Sequence, residues 1–97
     1  MHLITSKTLR NFWHRHPDAE EALREWNRQV KVAQWQSPLH VKADYPSASI
    51  VGNNRVVFNI KGNSYRLVAH TLYDHGRVYV RFIGTHAEYD RINAQEI

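Results

Sequence analysis

Cysteine is absent from the 97 residues, which excludes a disulfide staple, a thiolate nucleophile and any zinc site built on cysteine. Long apolar runs are absent too. Nothing approaches the roughly 20 consecutive apolar residues that cross a bilayer, so no membrane partner is expected. The opening Met1-His2-Leu3-Ile4-Thr5, followed by Ser6 and Lys7, lacks the apolar stretch of a signal peptide, and a cytoplasmic protein is expected. Glycine and proline are scarce, at four and three. They form neither a nucleotide-binding glycine fingerprint nor a G-x-S-x-G nucleophile turn.

What remains is 42% hydrophobic and 23% charged, the composition of a globular chain rather than a disordered one. Its length allows one domain over residues 1–97. Charge is unevenly spread. Between Val51 and Ile83, Arg55, Lys61, Arg66, Arg77 and Arg81 face Asp74 alone, so that third carries the whole formal net charge of +4. A local positive field of this kind suits phosphate.

The first third reads as helical. Leu3 and Ile4 open as a short strand, with a cap at Thr5 or Ser6. Leu9, Phe12, Trp13 and His16 then share one helical face. Pro17 favours extended backbone at His16 and suits the first position of a second helix. Asp18, Glu20 and Glu21 sit in that helix's first turn, where the macrodipole favours acid. Ala19, Ala22, Leu23, Trp26, Val30 and Ala33 form its apolar stripe, and Glu20/Arg24 and Glu25/Arg28 pair on the wet side. From Gln34 to Asn54 no period survives; a connection that long is either functional or carries a short helix.

From Arg55 onward the period is two. Three strands are expected, joined by two-residue turns at Gly62-Asn63 and His75-Gly76. Counting outward pairs Asn59 with Arg66, Val57 with Val68 and Arg55 with His70. In the second hairpin it pairs Arg66 with Thr85, Val68 with Ile83 and His70 with Arg81. One face then collects Val56, Phe58, Ile60, Leu67, Ala69, Val78, Val80 and Phe82 beneath the helices. The other collects Arg55, Asn59, Lys61, Arg66, His70, Tyr79, Arg81 and Thr85 around Val57, Val68 and Ile83. Converging cations without a carboxylate among them point to an anion, because an ordinary exposed sheet intersperses both signs.

After the last strand, Thr85 and Glu88 have the spacing of a capping box, which places His86 and Tyr89 on one face of a short helix. A histidine, a tyrosine and several arginines are what RNA transesterification needs: a base for the 2′-OH proton, an acid for the leaving 5′ oxygen, and guanidinium groups for the phosphorane. The same residues would also serve simply to pack and hydrogen-bond the turn. His14-x-His16 is no metal site, since helical neighbours two apart do not share one ligand; neither metal nor cofactor is expected.

The start Met1-His2-Leu3-Ile4-Thr5, the middle Val57-Phe58-Asn59-Ile60-x-Gly62-Asn63-x-x-Arg66-Leu67-Val68-Ala69 and the end Tyr79-Val80-Arg81-x-x-x-Thr85-His86-x-Glu88-Tyr89-Asp90 resemble the HigB-type toxins of bacterial toxin–antitoxin modules. Pro38, Lys42, Pro46 and Ser47 are also similar. The resemblance implies an α+β, RelE-like fold: two N-terminal helices on a twisted, mainly antiparallel sheet, closed by a short C-terminal helix. It implies an mRNA interferase, a metal-independent endoribonuclease acting on messages at the ribosome. The implied partner is a HigA-like helix-turn-helix antitoxin, with operator DNA bound only by the toxin–antitoxin complex. Arg66, Arg81, His86 and Tyr89 occupy motif positions and are the expected catalytic set. Arg55, Asn59, Lys61 and His70 are the expected RNA contacts, His70 lying outside the family's pattern. RelE-like folds also include toxins that inhibit DNA gyrase by binding alone, and an inactive member that only binds its antitoxin is a third reading.

Overall fold

Leu9, Phe12 and Trp13 recur at helical spacing. The computed structural model, which describes residues 1–4 and 6–97, buries all three from α1 (Ser6–Arg15). The cap expected at Thr5 or Ser6 concerns residue 5 and the Ser6 side chain, both outside the described set. His16 leaves the helical region before Pro17, at φ −130 and ψ 75, and Pro17–Ala19 makes a 3-10 turn, so α2 itself begins later than expected and runs Glu20–Val32. Ala19, Leu23, Trp26 and Val30 are buried on its inner face. On its outer face Arg24 pairs with Glu20 at 2.8 Å and Arg28 with Glu25 at 2.5 Å.

The stretch 34–54 holds a second helix–strand step. Ser37-Pro38 opens α3 (Pro38–Asp44), with proline where its missing N–H costs nothing, and β2 (Ser49–Ile50) follows. This segment adds Trp35, Val41 and Ala48 to the core. Trp35 stacks on Phe58 at 6.1 Å and donates its indole N–H to Asp44 at 2.8 Å. Lys42 donates to the carbonyls of Pro46 and Ala48, at 2.6 and 2.8 Å, and so ties α3 to β2.

Strands β1 (His2–Ile4), β2, β3 (Arg55–Ile60), β4 (Tyr65–Leu72) and β5 (Arg77–Thr85) form one mixed sheet in the order β1-β5-β4-β3-β2, parallel only between β1 and β5. Helix α4 (His86–Tyr89) closes the fold. The β3–β4 register is the expected one: Arg55 opposite His70, Val57 opposite Val68, Asn59 opposite Arg66.

The β4–β5 register differs from the two-residue-turn count. The connection is a 3-10 turn, Tyr73–His75, ended by Gly76 at φ +64, and Leu72 pairs with Arg77. That longer turn moves the pairing by two residues, and a β-bulge at Arg81 returns one of them. Ala69 therefore lies opposite Val80 and Val68 opposite Phe82, with Arg81 the extra residue. His70 pairs with Tyr79 rather than Arg81, and Arg66 with Gly84 rather than Thr85. Beyond the bulge the faces are exchanged relative to expectation. Phe82 shares the open face with Val68, while Ile83 pairs with Leu67 and packs on the core.

Candidate functional site

The face away from the helices carries Arg55, Asn59, Arg66, His70 and Tyr79, in register across β3, β4 and β5. Arg66 lies across the ring of Tyr89, its guanidinium carbon 5.4 Å from the ring centre. That contact joins the middle strand to α4, and Phe82, displaced to this face by the bulge, adds its own ring 6.4 Å from Tyr89. The Arg66 Nε is buried and has no hydrogen-bond partner among the described residues. Leaving such a donor dry costs about 1–3 kcal/mol, and more when it is charged. Asn59 donates to the Ser47 carbonyl at 3.3 Å, while its Oδ1 is buried without a partner among the described residues.

Helix α4 is held by the expected capping box. The Thr85 hydroxyl accepts from the Glu88 N–H at 3.2 Å, and the Glu88 carboxylate accepts from the Thr85 N–H at 2.8 Å. This backbone hydrogen bond, helped by nearby His16 and Arg15, holds the Glu88 carboxyl below the usual range. His86 stands at the start of the helix and hydrogen-bonds through Nε2 to the Asn63 carbonyl in the β3–β4 turn. A carbonyl only accepts, so Nε2 carries the hydrogen, and Nδ1 is the basic nitrogen of the neutral ring. Arg66 and Tyr89 thus meet at one end of the open face, and His86, on the same short helix as Tyr89, is tied to the neighbouring β3–β4 turn.

The other expected residues are distributed differently. Arg81 is exposed at the bulge, and among the described residues it forms no carboxylate ion pair. Its charge is felt at His70. Lys61 is drawn to the rim, where it pairs with Asp18 at 3.0 Å; Asp18 also accepts from the Tyr65 hydroxyl at 2.7 Å. Those two hydrogen bonds, Tyr65 first, lower the Asp18 carboxyl. Arg55 donates to the Ile97 carbonyl from Nε and Nη2, at 3.2 and 2.7 Å, and to the Asn53 carbonyl from Nη1 at 2.8 Å. Its charge faces His70, but most of its donors are in use.

Sequence reasoning missed the contribution of Phe82, because a bulge has no signature in a two-residue alternation. It also missed the approach of residues 95–97 to Asn53 and Arg55. Among the described residues no group of three or more histidine, aspartate or glutamate side chains comes together as a metal site, and no helix is long and apolar enough to cross a membrane. A depression of about 500 Å³ beside Arg28, Val32 and Tyr45 lies away from this face. The basic surface is instead open, a shape that admits a polymer rather than enclosing a small molecule.

With one sheet face sealed by helices and the other left cationic, the chain has the build of a RelE-like toxin. The family model for the HigB toxin, a RelE-like toxic component of a toxin–antitoxin system, matches residues 19–92. The chain is 31% identical over 96 residues to the mRNA interferase toxin HigB of Escherichia coli (strain K12), with 97% of this chain and 92% of that one covered. It has the same identity and coverage with the mRNA interferase HigB of Shigella flexneri. With the mRNA interferase HigB of Escherichia coli O6:H1 it shares 26% over 94 residues, covering 95% and 91%. The chain belongs to the HigB toxin family, whose description implies a cognate antitoxin.

Proposed function

We propose that this protein is an mRNA interferase that cuts messages on the ribosome by 2′-OH transesterification. The observation that carries the reading is Arg66. Its guanidinium rests on Tyr89, which shares helix α4 with His86, and it has no carboxylate ion pair among the described residues. A guanidinium on an open cationic face with no carboxylate to neutralise it is an arrangement that a phosphate completes.

In this reading Nδ1 of His86 takes the proton from the ribose 2′-OH. The freed oxygen attacks the adjacent phosphorus, giving a 2′,3′-cyclic phosphate and a departing 5′ oxygen that is protonated to 5′-OH. Arg66 stabilises the added charge of the phosphorane, Tyr89 positions Arg66 and assists proton transfer, and Arg81 stands further along the approach. Asn59, His70, Arg55 and Lys61 line the approach. A helix-turn-helix antitoxin of the HigA type neutralises the toxin, and the pair together binds operator DNA.

Brief induction followed by sequencing of RNA ends tests the reading. New 5′-OH ends within codons of translated messages are expected. An SOS response without cuts would replace RNA cleavage by gyrase inhibition, and neither outcome would mark an inactive, antitoxin-binding member.

A further inference from the structure

Four residues along β4 from Arg66, roughly 13 Å away at strand spacing, a second cluster occupies the same open face. His70 lies between Arg55 on β3 and Tyr79 on β5, each its direct cross-strand partner. The rings of His70 and Tyr79 are 6.4 Å apart, tilted by 40°. Arg81 stands exposed at the bulge, between this cluster and Tyr89's end of the face. His70 and Tyr79 are both part-exposed and open to a ligand.

We propose that His70, Tyr79 and Arg81 form a flanking-nucleotide subsite, distinct from the cleavage centre, in which a base lies against Tyr79 and the neighbouring phosphate sits between Arg81 and a protonated His70. The inference rests on the RNA-cleavage reading and adds to it a pH-dependent grip on the substrate. Roughly 13 Å is too far for His70 to reach a phosphate held at Arg66, so its contact is with another nucleotide. Aromatic rings on a cationic surface accept bases of any sequence, because every base has a stacking face. Arg55 is held by three hydrogen bonds to the Ile97 and Asn53 carbonyls, so its main contribution is field rather than contact.

The groups facing His70 are Arg55 from β3 and Tyr79 and Arg81 from β5. Burial, and then the charges of Arg55 and Arg81, hold its imidazole below the ordinary 6.5. Unbound His70 is therefore neutral at pH 7. A phosphate arriving between His70 and Arg81 reverses that balance and favours the imidazolium, so binding takes up a proton.

The test measures affinity of the full-length protein for a short fluorescent RNA carrying 2′-O-methyl groups throughout, which removes the attacking hydroxyl, between pH 8 and pH 6. Wild-type affinity should rise about five- to tenfold more over this range than that of His70→Gln, within the tenfold per pH unit that one proton allows. His70→Arg, permanently charged, should share the flatter profile of His70→Gln but lie on a higher plateau. Tyr79→Leu should bind about tenfold more weakly at every pH. If either His70 variant keeps the wild-type pH slope, the subsite is overturned. Should that happen while the wild type still leaves 5′-OH ends, the cleavage reading stands and only the subsite falls. Failure of the wild type to bind this RNA at all, with no cuts in messages, overturns both.

Discussion

The two faces of the β3–β4–β5 sheet are made from alternate residues of the same strands, and they obey opposite rules. On the covered face Val56, Phe58, Leu67, Ala69 and Val78 are buried almost completely against Leu9, Phe12, Leu23 and Trp26, with aromatic contacts such as Trp26–Phe58 at 5.3 Å. On the open face Val57 and Val68 form only a small buried island outside that core. Around it stand Arg66 and Arg81, which form no carboxylate ion pair among the described residues, while Lys61 is drawn to the rim by Asp18. The covered face stabilises the fold; the open face leaves guanidinium charge uncompensated and ready for an anion.

Substitution should separate the two faces cleanly. His86→Ala removes the proton-transfer group and should slow RNA cleavage about 10²–10⁴-fold, with thermal unfolding little changed. Phe58→Ala should do the reverse. It should cost about 3–5 kcal/mol of stability, and whatever protein remains folded should cleave normally per molecule. A fully active His86→Ala protein, still producing 5′-OH ends, would make the histidine structural and leave the chemistry to the arginines.

Arg66→Met sharpens the contrast at a single residue. The methionine keeps much of the apolar stem over Tyr89 and removes the orphaned Nε, so stability should hold or rise slightly while cleavage falls about 10²–10³-fold, as for loss of one preorganised donor. Arg66→Lys should recover only part of that loss, because an ammonium lacks the planar fork. If Arg66→Met is instead strongly destabilised, the guanidinium is a structural strut, and the carrying observation for phosphate binding is lost.

A smaller effect concerns the face as a whole. Ribosome association should weaken with salt, with a log–log slope of roughly −3 for about four phosphates neutralised. Arg81→Ala should reduce that slope by about one, whereas Lys61→Ala should change it less, because Lys61 already pairs with Asp18. Co-sedimentation with ribosomes over a salt series reads both.

Periodicity made the covered face legible: the stripe of α2, the strand alternation as far as the bulge and the β3–β4 register all follow from residue spacing, and the structure reproduces them. The capping box at Thr85 and Glu88 was equally readable, being a local rule four residues long. Two things were not. The stretch 34–54 hid α3 because its one signal, Ser37 before Pro38, marks a seven-residue helix too short to show a period. The β4–β5 register depended on a turn whose glycine is the left-handed end of a 3-10 turn rather than half of a two-residue loop, and on a bulge that alternation cannot reveal. Which residues face outward was therefore clearer than how they group. Spacing brought Arg81 opposite His70, whereas the fold pairs His70 with Tyr79, leaves Arg81 at the bulge, and joins Arg66 to Tyr89.

The smallest expected effect tests whether the rim helix belongs to the stable part of the molecule or to the working part. Thr85→Ala removes the cap of α4 and should cost about 1 kcal/mol, within the usual range for N-cap loss. The core does not depend on α4, since the buried cluster contains none of its residues. Cleavage, however, depends on how α4 presents His86 and Tyr89 to Arg66, so activity should fall several-fold more than so small a destabilisation would explain. Glu88→Gln probes the same box through pH. The Glu88 carboxyl is lowered in the folded protein, chiefly by the Thr85 N–H. Its stabilising contribution is therefore complete above the ordinary carboxylate value of 4.5 and disappears as pH falls through the lower folded value. Wild-type protein should consequently unfold at a higher temperature than Glu88→Gln at pH 7, and the gap should close on acidification below about pH 4. A gap that persists unchanged at low pH would mean that the glutamate acts by packing rather than as a charged cap, and that α4 is held by other contacts.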